Sequence, residues 1–148
     1  MSTDDTSLFM RRQFNAPVER VYRAWTDPAQ LSKWMGPGKN ATCDVETFDL
    51  TPGGRYALAM RSSAGELFRT TGEFRDITPN ERLSFTWVWD HFPDQITLVT
   101  LTFHARDGGT SLTLKHTNFN NSEARDNHRS GWTGGFEKLD RLLATHEA

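Results

Sequence analysis

One cysteine, Cys43, stands in 148 residues, which excludes an internal disulfide and any metal site built from cysteines. No apolar run reaches the length of a signal-peptide core or a membrane span. Charge of one sign is not concentrated anywhere: Lys/Arg and Asp/Glu are interleaved along the chain and sum to a net charge of −2. Such a surface offers no basic stripe to nucleic acid or to anionic lipid, so neither nucleic acid nor membrane is an expected partner, and a reducing, cytoplasmic setting is expected. The usual catalytic fingerprints are missing as well. There is no Gly-x-Ser-x-Gly, no phosphate-binding loop and no dinucleotide motif, and Gly131-x-x-Gly134-Gly135 lies inside a helical pattern rather than at its start. The five histidines, at 91, 104, 116, 128 and 146, share no helical turn and no alternate strand positions, so neither a metal nor any cofactor is expected.

Aromatic residues, by contrast, are plentiful. Five Trp and ten Phe sit in a chain that is only 36% hydrophobic. Each buried aromatic removes about 150–250 Å² from water, so a few of them can fill or line a large space. The length suits one domain, residues 1–148, with the polar residues 1–6 disordered.

Turn signals divide the chain into elements. Leu8, Met10 and Phe14 alternate as a strand, with Arg12 on the same face. Ala16-Pro17 opens a helix carrying Val18, Val21, Tyr22 and Trp25, and Asp27-Pro28 starts a second, shorter one with Leu31, Trp34 and Met35, which Gly36-Pro37-Gly38 stops. Six strands follow, at 42–50, 55–61, 67–77, 83–89, 96–105 and 110–119, separated by turns of which Asp107-Gly108-Gly109 is the tightest. Apolar parity slips between Val45 and Phe48 and again between Leu98 and Val99, and each slip predicts a β-bulge that bends the sheet. The chain closes with a helix over 123–145, on which Trp132, Phe136, Leu139 and Leu142/Leu143 form the apolar stripe. Gly131, Gly134 and Gly135 interrupt it. Each glycine costs about 1 kcal/mol relative to alanine in a helix interior, so three within five residues imply close approach of the backbone to a sheet or room left for a bound molecule.

Period-2 parity places Tyr56, Leu58 and Met60 on one inward face, Leu83, Phe85, Trp87 and Trp89 on another, and Leu112, Leu114 and His116 on a third. A histidine on an apolar face needs a partner. Two roles stay open for it: a hydrogen-bonded structural group, or a ligand-orienting group or general base in a pocket. His128, four residues before Trp132, shares its helix face and lies either at a pocket mouth or in solvent.

The segments Phe14-x-Ala16-Pro17, Trp25-Thr26-Asp27-Pro28, Lys33-Trp34-Met35-Gly36-Pro37, Pro52-Gly53-Gly54-Arg55-Tyr56, Pro79-x-Glu81-Arg82-Leu83-x-Phe85-Thr86-Trp87 and Gly131-Trp132-x-Gly134-Gly135-Phe136-x-Lys138-Leu139 occur in that order. In this the chain resembles the SRPBCC (START-like) superfamily, in particular the branch named after the C-terminal domain of the activator of the heat-shock-protein-ninety ATPase. The resemblance implies an α+β helix-grip fold in the order β-α-α-β-β-β-β-β-β-α, with a curved antiparallel sheet wrapped on the long C-terminal helix and a cavity between them. We expect that cavity to be lined by Trp34, Tyr56, Met60, Trp87, Trp89, His116, Trp132 and Phe136, and to bind a small hydrophobic or aromatic molecule without catalysis. A cyclase- or hydrolase-type enzyme using the same cavity is the alternative. A chaperone partner is a third reading, not favoured because the eukaryotic activator carries an additional N-terminal domain that these residues do not contain. A homodimer is left open.

Overall fold

A computed structural model describes residues 6–36 and 40–144. The expectations placed on residues 1–5, on Pro37 and Gly38, on Thr145 and on His146 lie outside the described residues. The elements run β1 (Ser7–Phe14), α1 (Val18–Thr26), α2 (Pro28–Trp34), β2 (Thr42–Phe48), β3 (Arg55–Arg61), β4 (Leu67–Thr78), β5 (Arg82–Trp89), β6 (Thr97–Arg106), β7 (Gly109–Thr117) and α3 (Ser122–Ala144). All seven strands join one antiparallel sheet in the order β1-β7-β6-β5-β4-β3-β2, and α3 returns across it. This is the helix-grip layout. No helix among the described residues is long and apolar enough to cross a membrane.

Local chemistry sets the element ends. Asp27 caps α2 by accepting from Ala29 N at 3.0 Å, with Pro28 in the first turn. Asn121 does the same for α3 through Ala124 N at 2.8 Å. Asp107 and Gly108 both take positive φ in the β6–β7 hairpin, as a two-residue primed turn demands. Thr6, expected to be disordered with residues 1–5, is tied down instead: its carbonyl accepts from Phe119 N at 3.0 Å.

The expected bulge in β2 is present, between Val45 and Thr47. The one expected at Leu98/Val99 is not, since β6 keeps continuous register with both β5 and β7 there. The apolar parity slips without a bulge because the inward residue next to Val99 on its face is a threonine: Thr97 is buried, and its hydroxyl donates to Trp87 O at 2.7 Å. A bulge that the sequence reading passed over lies in β4, between Phe74 and Ile77, where the parity of the apolar residues also changes. There the hydroxyls of Thr86 and Ser84 accept from Glu73 N (2.9 Å) and Asp76 N (3.0 Å), so side chains of β5 satisfy backbone groups of β4. Both residues are buried, although strand parity puts them on the face opposite Leu83, Phe85 and Trp87.

Trp25 is the hub of the core. Its ring meets Trp34 at 4.6 Å, Trp132 at 5.8 Å and Phe136 at 6.3 Å between centroids, which locks α1, α2 and α3 together over the sheet. The glycines of α3 divide their roles. A Cβ placed on Gly135 would meet the Trp34 ring at 3.6 Å and Gly36 O at 3.8 Å, so the close approach is to α2 and not, as expected, to the sheet. Gly131 instead borders an open space. In β4, a Cβ on Gly72 would stand 2.0 Å from Thr86 O and 2.6 Å from the Tyr56 ring, a position only glycine can hold.

These contacts set opposite expectations for three substitutions. Gly135→Ala should stabilise by about 0.5–1 kcal/mol, because ordinary contact room meets a better helix former. Gly135→Leu and Gly72→Ala should each cost about 1–3 kcal/mol through overpacking. Urea denaturation of the three variants checks this, and a destabilised Gly135→Ala would refute the α2 contact as described.

Candidate functional site

Between α3 and the sheet lies a cavity of about 460 Å³. Its floor is Met35 and Gly36 after α2, Met60 of β3 and Phe68 of β4. One wall is Trp87 and Trp89 of β5 with Thr97 of β6. The facing wall is one side of α3, with Ala124, His128, Gly131 and Trp132 at helical spacing. His91, Phe92 and Gln95 from the β5–β6 connection form the rim together with Asn120, Asn121 and Asn127.

Of the eight residues expected to line one cavity, Met60, Trp87, Trp89 and Trp132 do so. The other four do not, and their placement in that wall is corrected. Trp34 and Phe136 belong to the packed core, and the Trp34 indole donates to Ala24 O at 2.9 Å. Tyr56 borders a separate apolar void of only about 20 Å³ among Trp25, Phe74 and Phe85, and its hydroxyl donates to Thr86 O. Burial drives that phenol well above its ordinary pKa, so it stays protonated. His116 sits one layer behind the cavity wall with no exposed surface.

The surroundings of His116 fix its chemistry. Trp132 Nε1, which can only donate, points at its Nδ1 at 3.1 Å. Its Nε2 therefore carries the proton and donates to Thr97 Oγ1 at 2.8 Å. His128 is held in the complementary tautomer: its Nε2 accepts from Trp89 Nε1 at 2.9 Å and its Nδ1 donates to Ala124 O at 2.7 Å. The two imidazoles lie 5.0 Å apart between ring centroids. Burial holds His116 well below the ordinary histidine pKa, and proximity to His128 lowers it further. Burial lowers His128 too, against the opposing pull of the Ala124 carbonyl. Both rings are thus neutral and all four ring nitrogens are engaged. Cys43 offers no nucleophile either, since burial and then Asp44 push its thiol up to about 12 despite Lys138. Among the described residues no group of acidic, histidine and cysteine side chains is placed to hold a metal ion.

The fold has counterparts among known proteins. The family model described as Activator of Hsp90 ATPase homolog 1-like protein matches residues 15–144. The chain belongs to that family. Its members among solved structures include an AHSA1 protein from Silicibacter pomeroyi, 25% identical with a TM-score of 0.83 over 95% of this chain and 99% of that one. A protein from Mycobacterium smegmatis is 30% identical with a TM-score of 0.82, covering 98% and 96% of the two chains, and one from Chromobacterium violaceum is 28% identical at 0.83, covering 93% and 96%. No curated protein matches the chain.

Within this family frame, the lining residues absent from the expected set lie after α2 (Met35, Gly36), at Phe68 of β4 and Thr97 of β6, in the β5–β6 connection, and at the N-terminal end of α3, where His128 and Gly131 take the pocket-side alternatives left open for them. A signal for those on α3 was present. Ala124, His128 and Gly131 continue the stripe of Trp132, Phe136 and Leu139 upstream at three- and four-residue spacing, so the apolar face simply becomes small and polar where the cavity begins. The rim residues His91, Phe92 and Gln95 sit in a turn, and no periodicity marks them.

The neutral histidine pair makes stability depend on pH in a defined direction. An unfolded histidine takes up a proton near pH 6.5, whereas the folded chain resists protonation of His116 and His128 until lower pH. Below about 6.5 the unfolded state therefore binds more protons, and stability falls as pH falls, by up to about 1.4 kcal/mol per pH unit for each histidine. Urea midpoints between pH 7.5 and 5, above the range where carboxylates titrate, should show the loss, with a shallower slope in His116→Gln. A flat profile in the parent would contradict the tautomer assignment.

Proposed function

We propose that this protein binds a small apolar or aromatic molecule in the cavity between α3 and the sheet, for carriage, sensing or sequestration. The observation that carries this reading is the cavity itself: about 460 Å³, walled by Trp87, Trp89, Trp132 and Met60, with carboxamides at its rim. That volume falls within the range of small-molecule sites, about 300–1,000 Å³, and the mix of aromatic wall and few polar groups is their usual composition. The family's solved members share the fold that frames it.

A cyclase- or hydrolase-type reaction with His116 or His128 as its base would need a free imidazole nitrogen facing the bound molecule, and both nitrogens of each are spent on internal hydrogen bonds. The binding reading needs no such group. The family description names an activator of the Hsp90 ATPase, and no feature of this cavity speaks for a chaperone partner.

N-phenyl-1-naphthylamine, an uncharged fluorescent probe, tests the reading. It should bind saturably and quench tryptophan emission, because three indoles border the cavity. Ala124→Trp, which projects a large ring into the space from α3, should weaken binding by about tenfold or more while leaving the urea midpoint near that of the parent. Absence of saturable binding in the parent, or undiminished binding in the variant, would overturn it.

A further inference from the structure

The described residues around the cavity include no aspartate, glutamate, lysine or arginine. Two histidines line it and are the only side chains there that could supply a charge: His91, at the rim, lies against the rings of Phe68, Trp89 and Phe92, and His128, in the wall, is prevented from supplying one. To become a cation, His128 would have to carry a proton on Nε2, where the Trp89 N–H already points, at 2.9 Å. His116 behind it is blocked in the same way by the N–H of Trp132. The indoles of Trp89 and Trp132 are in turn used up, since each has a single donor. The remaining polar groups are at the rim. Gln95 gives its Nε2 to Asn118 O at 2.8 Å and keeps its carbonyl free to accept, and Asn120 and Asn127 present carboxamides.

From this we infer that the cavity selects uncharged ligands: a flat aromatic body held between the indole wall and α3, with a neutral carbonyl or hydroxyl at one end meeting the rim carboxamides. The inference rests on the binding reading above and narrows it. A carboxylate, sulfonate or phosphate carried in with such a body would lose its hydration without meeting a lysine, an arginine or a protonated wall histidine, and an ammonium would find no anion; an unpaired charge moved out of water is strongly disfavoured. A neutral carbonyl, by contrast, exchanges water for an amide N–H at little net cost. The paired histidines and indoles therefore set the specificity of the wall without touching the chemistry of the ligand. Free fatty acids and other amphiphilic anions are on this account excluded, in spite of their apolar tails.

Two compounds of nearly equal shape and opposite charge state test this. 2-Acetylnaphthalene and 2-naphthoate share the ring and differ in one group, methyl ketone against carboxylate. Titrated at pH 8 against the intact chain by tryptophan quenching and calorimetry, 2-acetylnaphthalene should bind saturably and 2-naphthoate about thirtyfold more weakly or worse. Binding of the two within about threefold would overturn the inference. Binding of N-phenyl-1-naphthylamine with neither naphthalene bound would overturn the ligand class while leaving the binding reading in place, whereas failure of all three compounds would remove the reading beneath it. Asn127→Arg, an exposed change on α3 that adds a cation to the rim, should shift the affinity ratio about fivefold toward 2-naphthoate. No shift in a folded variant would show that charge does not govern selection.

Discussion

The hydrogen-bonded chain through His116 is the constraint on which the working part of this structure depends. It runs from the Trp132 indole of α3 to His116 of β7, from His116 to the Thr97 hydroxyl of β6, and from Thr97 to the Trp87 carbonyl of β5. One buried imidazole thereby fixes the distance between the helix and three strands. A buried polar network of this kind is stabilising only when every member is satisfied, and here each donor has one acceptor. The direction of every bond follows from a single fact, that an indole N–H cannot accept. Because the chain holds Trp132 upright against β7, the turns of α3 that precede it stand off from β5, and the space left between them is the cavity. His128 and Trp89 repeat the arrangement one turn away and prop the same gap from the other side.

The two ends of α3 consequently do different work. Toward its C-terminus, Phe136, Leu139 and Leu143 are buried in the core, and Gly135 lets α2 come close enough for Trp34 to pack on the helix backbone. Toward its N-terminus, Ala124 and Gly131 keep the same face low. A large side chain at either position would occupy the void. Small residues are thus kept on this face for two unrelated reasons within five residues: at 135 for contact, where a methyl would still fit but a larger side chain would push Trp34 away, and at 131 for space. The sheet contributes curvature through its bulges, and hydroxyls of Ser84 and Thr86 meet the backbone groups that the β4 bulge releases.

A site built this way suits the binding role proposed above. The imidazoles of His116 and His128 are pinned in neutral tautomers by donors and acceptors of fixed character, so that part of the wall presents a constant, weakly polar surface. Solved structures 25–30% identical to this chain show the same frame.

The sequence alone determined the order of elements, their boundaries to within about two residues, the antiparallel meander, most of the inward faces and the helix-grip family. The elements and faces follow from near-neighbour rules, period two in strands, three to four in helices, glycine and proline at turns, whereas the family came from the resemblance carried by six short segments in order. It also placed Met60, Trp87, Trp89 and Trp132 where the cavity is. What it left undecided was depth along a face. Tyr56 and Met60 point to the same side of β3, yet four residues of strand separate them by about 13 Å, so Met60 reaches the cavity while Tyr56 is enclosed with Phe74. Trp132 and Phe136 share a stripe one turn, about 6 Å, apart on α3, and only the first borders the void. Parity names a face but not what stands opposite it. That depends on which residues of α3 and the β5–β6 connection arrive there, and a contact between residues far apart in the chain leaves no period in the sequence. Only the tertiary structure, by setting the indoles against His116 and His128, decided that both rings stay neutral and that the space beside them stays open.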